Sequence, residues 1–157
     1  MRNLELKTTI TECQSEELGE QERHLVELAK EATNRSYAPF SHFHVGAALL
    51  LANGVEITGC NQENAAFSAG ICAERAAIFA AGTQYPDVPV TTLAIAARAS
   101  SGEWTDEPIS PCGTCRQVII ETETRFARPV RLLLYGRSKI YAVDGIRQLM
   151  PLSFSEF

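Results

Sequence analysis

Three cysteines and one glutamate stand at two points of the sequence in a pattern that could bind a metal ion and move protons. The stretch "GICAERAAIFA" places Cys72 two positions before Glu74, at the head of an alanine-rich segment. Farther along the chain, "SPCGTCRQVIIE" contains Cys112 and Cys115 as a C-x-x-C pair. Cysteine thiolates bind zinc, and glutamate is a frequent general acid or base. The two motifs together predict a metal site with a proton-transfer group beside it.

Both motifs are predicted to lie at helix N-termini. The members of the C-x-x-C pair are three positions apart and therefore lie on nearly the same face of a first helical turn. Cys72 and Glu74 would point to opposite faces unless Cys72 occupies the non-helical cap, so we expect it at or before the first helical residue. Helix N-termini favour anions and hence thiolates. Three protein ligands leave the fourth zinc position open to water, which is typical of catalytic zinc.

Each half of this pattern also has a simpler interpretation. A lone C-x-x-C in a cytosolic protein is most often a structural zinc clamp or a redox pair. Cys60 could supply a fourth ligand, although a cysteine at the end of a strand is more often a small core residue. A thioredoxin-like site would need a strand leading into the motif, whereas "SGEWTDEPISP" is a polar, proline-bearing loop. The joint pattern is far more specific than either half.

Composition and charge limit the classes of protein that these motifs can serve. With 157 residues, of which 45% are hydrophobic and 21% charged, the chain has the profile of one soluble domain. We place that domain at residues 16–157, after an N-terminal extension at 1–15. A net charge of −5 and scattered basic residues argue against a nucleic-acid partner. We expect no membrane span either, because no apolar run approaches roughly 18 residues.

The cysteine count and the N-terminus predict a cytoplasmic protein. The start "MRNLELKTTITEC" lacks the apolar core of a signal peptide. Five cysteines, an odd number, are more typical of metal binding or chemistry in a reducing compartment than of disulfides.

Helices and strands alternate along the chain, and these elements must position the motifs. The Asn53-Gly54 pair predicts a tight hairpin turn between the first two strands. Because that hairpin is antiparallel and the other strands alternate with helices, we expect a three-layer α/β/α fold with a mixed, about five-stranded sheet. Residues 4–10 are a candidate short edge strand. The predicted helices are 20–36, 72–82, 113–125 and 143–149, and the predicted strands are 43–51, 55–60, 91–98 and 130–135.

The chain resembles the cytidine deaminase family, in its small homotetrameric, zinc-dependent form within the cytidine and deoxycytidylate deaminase superfamily. The resemblance runs from about Tyr37 to Phe154 through "YAPFSHFHVGAALL", "GCNQENAAF", "CAERAAI", "PCGTCRQV" and "LMPLSF". It implies a zinc hydrolase that deaminates cytidine and deoxycytidine to uridine and deoxyuridine with release of ammonia, in pyrimidine salvage. It also implies one Zn²⁺ per chain, bound by Cys72, Cys112 and Cys115, with Glu74 as the proton shuttle.

The resemblance assigns further roles around the substrate. Arg75 would hydrogen-bond the ligand sulfurs and withdraw negative charge, because three thiolates and Zn²⁺ sum to −1. Phe154, donated by a neighbouring subunit of a homotetramer, would cover the pyrimidine. The remaining implied contacts are Phe43 against the base, Asn61 and Glu63 on the ribose hydroxyl, and the backbone of Ala73 and Cys112 on the base edges.

Without the resemblance these residues have ordinary interpretations: Arg75 as a surface ion pair, Asn61 and Glu63 as loop residues, Phe43 as core and Phe154 as a frayed end. The departures from the family are the N-terminal extension, the long "SGEWTDEP" connection and "NAAF" in place of the commoner N-A-S-Y. None of them removes a predicted catalytic residue.

Four residues are left without a predicted role, and two other functions stay open. Strand alternation would place His42 and His44 opposite Phe43, facing solvent. Cys13 and Cys60 receive no role. The rival functions are deamination of another aminated nucleoside, such as a nucleoside antibiotic, and a non-enzymatic zinc-binding module with four protein ligands.

Overall fold

A six-stranded mixed sheet forms the centre of the protein in this computed structural model, which describes residues 1–155. The order across the sheet is β1-β6-β5-β4-β2-β3, with β4 and β5 parallel and the other neighbours antiparallel. The elements are β1 (Thr11–Cys13), α1 (Glu20–Ala32), β2 (His44–Leu51), β3 (Glu56–Cys60), α2 (Ala73–Gln84), β4 (Val90–Arg98), α3 (Gly113–Phe126), β5 (Arg131–Tyr135) and β6 (Ile140–Asp144).

Helices cover both faces of the sheet, which confirms the three-layer α/β/α architecture. On one face α1 packs its buried residues Leu25, Val26 and Ala29 against β2, β4 and β5. On the other face α2 and α3 enclose a second core that includes Leu49, Ile95 and Leu132. Alternate residues of β2 and β4 serve the two cores, so the buried stretches of these strands, 46–51 and 93–97, contain no polar side chain. Within residues 1–155, no helix has the length and apolar character needed to cross a bilayer.

Close packing of α2 on β3 fixes where the first cysteine motif lies. A Cβ atom at Gly59 would come within 2.5 Å of the Ala77 nitrogen and 2.6 Å of the Ala73 carbonyl oxygen. Only glycine permits this approach, because no real side chain tolerates backbone atoms at that distance. The N-terminal turn of α2 is therefore pressed directly onto β3.

The hairpin between β2 and β3 differs in detail from the two-residue turn that the Asn53-Gly54 pair suggests. Gly54 has φ of +85°, whereas Asn53 keeps a negative φ. The Leu51 amide donates to the Val55 carbonyl at 2.9 Å, and the Asn53 side-chain oxygen accepts from the Val55 amide. This pattern is a three-residue connection that ends in a left-handed glycine.

Two predicted elements at the sheet edge are wrong. The edge strand lies at Thr11–Cys13, pairs with β6 and does not include residues 4–10. The predicted helix at 143–149 is replaced by β6 and a short 3₁₀ turn at Ile146–Gln148. Gly145, with φ of +88°, separates the two. The sheet therefore has six strands, not about five.

Candidate active site

The three predicted cysteine ligands form one cluster. The Sγ atoms of Cys72, Cys112 and Cys115 all lie within 4.8 Å of one another, and those of Cys72 and Cys112 are 3.9 Å apart. Tetrahedral zinc with bonds of about 2.3 Å holds its sulfur ligands about 3.8 Å apart, so this spacing fits a single ion. Residues 1–155 contain no second cluster of three or more potential ligands with comparable spacing.

Two helix N-termini supply the cluster. Cys72 is the N-cap of α2, with an extended backbone at φ −77° and ψ 156°, which confirms the expectation that it precedes the first helical residue. Cys112 is likewise the N-cap of α3, and Cys115 lies buried in the first turn of that helix. The macrodipoles of both helices therefore favour negative charge on the sulfurs.

Hydrogen bonds among the sulfurs shift the pKa values of two of them in opposite directions. A hydrogen bond with Cys115 lowers the pKa of Cys72, and the neighbouring Arg75 lowers it further. The same bond with Cys72, together with burial, raises the pKa of Cys115. Cysteine binds a metal ion as the thiolate, so metal binding would release the protons that these thiols carry.

Arg75 directly contacts the sulfur cluster. Its Nη2 lies 3.7 Å from the Sγ of Cys72, and this contact raises the pKa of the guanidinium. The Nε atom is buried and has no hydrogen-bond partner in the part of the chain that the structure describes. The arginine that follows Glu74 is thus placed where it can withdraw negative charge from a sulfur ligand.

Glu74 is a buried acid beside this cluster, with only 4% of its surface exposed. Burial is the main cause that raises the pKa of its carboxyl group, and negative charge on Cys72 adds to the effect. A raised pKa lets a carboxyl group both accept and return a proton near neutral pH. The residue also lines the cavity described next.

A cavity of about 710 Å³ opens in front of the cluster. This volume lies within the range of small-molecule sites. Among the residues that line it, we distinguish two groups. The metal side consists of Cys72, Ala73, Glu74, Arg75 and Cys112, and the loop side consists of Phe40, Ser41, Phe43, Asn61, Glu63 and Phe67.

Asn61 ties the loop side to the beginning of β2. Its side-chain nitrogen donates to the Phe43 carbonyl at 2.9 Å, and its side-chain oxygen accepts from the Val45 amide at 2.8 Å. An amide side chain has two N–H donors and two acceptor lone pairs. One donor and one acceptor of Asn61 therefore stay available to a ligand.

Glu63 organises the loop that precedes β2. Its Oε2 atom accepts from the Phe40 amide at 2.8 Å and the Ser41 amide at 3.2 Å, while its Oε1 atom accepts from the Ser41 hydroxyl. These hydrogen bonds, led by that of the hydroxyl, lower the pKa of Glu63. The Ser41 hydroxyl also accepts from the Phe43 amide at 3.1 Å. Sequence reasoning gave Ser41 no role.

Some of the other residues singled out in the sequence line this cavity, and others lie outside it. Phe43, Ala73 and Cys112 line the cavity. Phe154 is 65% exposed and is not among the described residues that line it; its carbonyl accepts from Gln117 Nε2 at 2.8 Å. Cys60 lies outside the sulfur cluster and accepts a hydrogen bond from Gln62.

The strand alternation predicted for the histidines is wrong at His42. This residue precedes β2 and has φ of +54°, so it belongs to the loop. His44 is only half-buried, but its Nδ1 hydrogen-bonds the Ser36 hydroxyl instead of facing solvent freely. Neither histidine belongs to the sulfur cluster.

Arg116 is a second residue that sequence reasoning missed. It follows Cys115 directly, and its guanidinium hydrogen-bonds Pro111, Ser110 and Leu149. Its position beside the C-x-x-C pair is the only signal that the sequence offers.

Comparisons with known proteins agree with this geometry. The family profile described as the cytidine and deoxycytidylate deaminase zinc-binding region matches residues 19–128. A cytidine deaminase from Sporosarcina psychrophila is 45% identical over 97 residues, which is 62% of this chain and 66% of that protein. One from Halalkalibacterium halodurans is 43% identical, over 62% of this chain and 68% of its own length. The match thus spans about two thirds of each of these relatives.

Solved structures extend the similarity over more of the fold. The crystal structure of a cytidine deaminase from Burkholderia pseudomallei superposes with a TM-score of 0.72 at 35% identity, covering 87% of this chain and 100% of that chain. That of a cytidine deaminase from Mycobacterium tuberculosis gives a TM-score of 0.64 at 30% identity, with coverages of 85% and 96%.

Proposed function

The chain belongs to the cytidine and deoxycytidylate deaminase family, and on this premise we propose that it hydrolyses cytidine and deoxycytidine to uridine and deoxyuridine with release of ammonia. One observation carries the proposal. The buried carboxyl group of Glu74 lies beside a cluster of three cysteine sulfurs, at the wall of a cavity of ligand size.

The donor set of this cluster matches the chemistry that hydrolytic deamination requires. Cys72, Cys112 and Cys115 would hold one Zn²⁺ per chain, because their sulfur spacing fits a single tetrahedral ion. Three protein ligands would leave the fourth position to water. When bound, zinc supplies a nucleophilic water at neutral pH. Arg75 limits the negative charge that accumulates on the sulfurs through its contact with Cys72.

Glu74 carries the proton transfers of the proposed reaction. Its carboxylate accepts a proton from the attacking water and passes it to the ring nitrogen of cytosine. It then takes the proton of the newly added hydroxyl and gives it to the amine, which leaves as ammonia while the carbonyl of uracil forms. The pKa of the group is raised by burial, which makes it a stronger proton acceptor than an ordinary carboxylate. Phe43 packs against the base, and the backbone of Ala73 and Cys112 reads its edges in this scheme.

A nucleoside fits the loop side better than a nucleotide does. The ring of lining residues contains one cation, Arg75, and this residue contacts the Cys72 sulfur. Glu63 adds a negative charge on the side proposed for the sugar. A 5′-phosphate would find a carboxylate there and no free cation along the described wall, so we propose the nucleoside as substrate.

We further propose a homotetramer whose sites are completed by Phe154 of a neighbouring subunit. Phe154 is exposed on its own chain, and Gln117 holds its backbone carbonyl near the start of α3. An aromatic side chain donated in this way would exclude water from a cavity that is open in the single chain. The proposed setting is the cytoplasm and pyrimidine salvage, where thiols stay reduced and able to bind zinc.

The deciding experiment compares five compounds with the zinc-loaded protein: cytidine, deoxycytidine, cytosine, adenosine and deoxycytidine 5′-monophosphate. Deamination is followed by the change in ultraviolet absorbance, and zinc is measured by elemental analysis. We expect turnover of the first two compounds only. Zinc-loaded protein that is inactive on all five would refute the proposal.

The same measurements separate the rivals. A non-enzymatic zinc module predicts bound zinc, no turnover and no effect of changes at Glu74. A deaminase of another aminated nucleoside predicts poor turnover of cytidine and deoxycytidine. The contacts of Asn61 and Glu63 at the cavity, with hydrogen-bonding capacity left on Asn61, favour a substrate that carries a sugar.

A further inference from the structure

Arg116 joins two segments that are distant along the chain. Its Nε donates to the Pro111 carbonyl at 2.9 Å, and its Nη2 donates to the Ser110 hydroxyl at 2.9 Å. Its Nη1 donates to the Leu149 carbonyl at 2.7 Å. Arg116 is half-buried, and its hydrogen bonds to Pro111 and Leu149 are partly shielded from water, whereas that to Ser110 is exposed.

The first of these segments is a wall of the cavity. Ile109, Ser110 and Cys112 line it, and residues 107–111 belong to no helix or strand. Side-chain hydrogen bonds must therefore help to hold this backbone in place. Arg116 supplies two of them, immediately before the point where Cys112 enters the sulfur cluster.

The second segment is the beginning of the C-terminal tail. Leu149 follows the 3₁₀ turn at Ile146–Gln148, and the tail continues to Phe154. Gln117, the next residue of α3, donates to the Phe154 carbonyl at 2.8 Å. Two consecutive residues of α3 thus bind the tail at both ends of the stretch from 149 to 154.

Arginine suits this junction because its planar guanidinium presents five N–H donors in a fixed geometry. Each of the three acceptors receives a hydrogen bond from a different nitrogen of the Arg116 guanidinium. A lysine ammonium is a single point on a flexible stem and cannot match this geometry.

We infer that Arg116 is a positioning residue that fixes the Ser110–Cys112 wall of the cavity and fastens the C-terminal tail beside it. Its effect on substrate binding rests on the proposed function, in which the backbone of Cys112 contacts the base and the tail carries Phe154. Its effect on the two segments does not depend on the reaction.

Hydrogen exchange of the zinc-loaded protein tests the two-segment role without reference to activity. Arg116→Lys should increase the exchange rate of amides in residues 109–115 and 149–154 by about fivefold, the loss expected for a hydrogen bond. Arg125→Lys is the matched control, because Arg125 lies on the same helix and donates to the Pro86 carbonyl away from the cavity. Unchanged exchange in either segment of Arg116→Lys would overturn the inference.

Kinetics test the consequence for substrate. Arg116→Lys should retain zinc, while KM for cytidine rises at least about fivefold and kcat/KM falls at least about tenfold. A smaller folded fraction lowers kcat but leaves KM unchanged, so the rise in KM separates positioning from simple loss of folded protein. Ser110→Ala removes one acceptor only and should give a change of about two- to threefold in the same direction.

A double mutant separates the effect of Arg116 on the cavity wall from its effect on the C-terminal tail. In a chain truncated after Leu152, the loss of kcat/KM caused by Arg116→Lys should shrink by at least about threefold, because the tail no longer carries Phe154. If the losses of kcat/KM caused by the two changes are fully additive, the inference that Arg116 acts through the tail is overturned. If the wild type proves inactive on cytidine, the proposed function fails, and the exchange experiment still decides the role of Arg116.

Discussion

The metal side and the loop side of the cavity are built from different kinds of structure. Cys72 and Cys112 cap two helices that pack on the sheet, and Glu74 and Cys115 are buried in the first turns of those helices. The loop side is held by hydrogen bonds that Glu63 accepts from Phe40 and Ser41 and that Asn61 accepts from Val45. None of Glu63, Ser41 and Asn61 lies in a helix or strand. The residues proposed to carry out the reaction therefore lie on helices packed against the sheet. The residues proposed to bind the sugar lie in loops that side-chain hydrogen bonds hold in place.

This contrast predicts that changes on the two sides produce different kinetic signatures. Changes on the metal side should lower kcat, because they act on groups that serve the transition state. Changes on the loop side should depend on the sugar of the substrate.

Glu74→Gln should have the largest effect, a loss of kcat of at least about 10³-fold. Proton transfer alone is typically worth about 10²–10⁴-fold, and contacts to the transition state are lost in addition. Zinc should stay near one per chain by elemental analysis. Glu121→Gln, an exposed position on α3, is the control and should keep full activity. A variant at Glu74 that loses zinc would identify this residue as a ligand and refute its role as the proton shuttle.

Glu63→Gln tests the loop side of the cavity. The change weakens a charge-assisted hydrogen bond to the sugar, so kcat/KM for cytidine should fall about 50-fold, mainly through KM. The loss should shrink to within about threefold for 2′,3′-dideoxycytidine, which lacks the 2′ and 3′ hydroxyls of the sugar. Glu56→Gln, on β3 and paired with His24, serves as control. Equal losses for both substrates would mean that Glu63 acts only by holding its loop.

Arg75→Ala should lower kcat about 20-fold while zinc is retained, in the range typical of residues that tune metal ligands. Arg75 lowers the pKa of Glu74. Removing its charge lets the pKa of Glu74 rise, so the acid limb of the pH–rate profile should move to higher pH. A profile that superposes on that of the wild type would show that Arg75 has no charge-tuning role.

Truncation after Leu152 should reduce kcat/KM for cytidine by at least about tenfold, equivalent to 1.4 kcal/mol, with zinc content unchanged. This outcome would mean that a neighbouring subunit contributes residues to the loop side of each cavity. Light scattering of the wild type provides the companion measurement, with a tetramer expected. A truncated protein with full activity, or a wild type that is active as a monomer, would contradict the composite site.

Local spacing explains why the metal side could be predicted from the sequence. Cys72, Glu74 and the C-x-x-C pair are each separated by two or three positions, so helix geometry alone fixes their mutual placement. The resemblance to a known family then joined the two halves. The three-layer fold was predictable for a similar reason, because long apolar strands and amphipathic helices carry strong periodic signals.

Contacts between distant positions explain what the sequence could not reveal. Ser41 meets Glu63 across 22 positions, and Arg116 meets Leu149 across 33. Neither pair leaves a periodic signal. β6 was missed because its last two residues and the 3₁₀ turn that follows Gly145 together resemble a short helix in sequence.

The division of the sulfur ligands between α2 and α3 would make a bound metal ion a cross-link between distant parts of the chain. Cys72 caps α2, and Cys112 caps α3 40 positions later, with β4 between the two helices. A link that closes so long a loop restricts the unfolded chain much as a disulfide does. The ion that this cluster is proposed to bind would therefore contribute to the stability of the fold as well as to its chemistry.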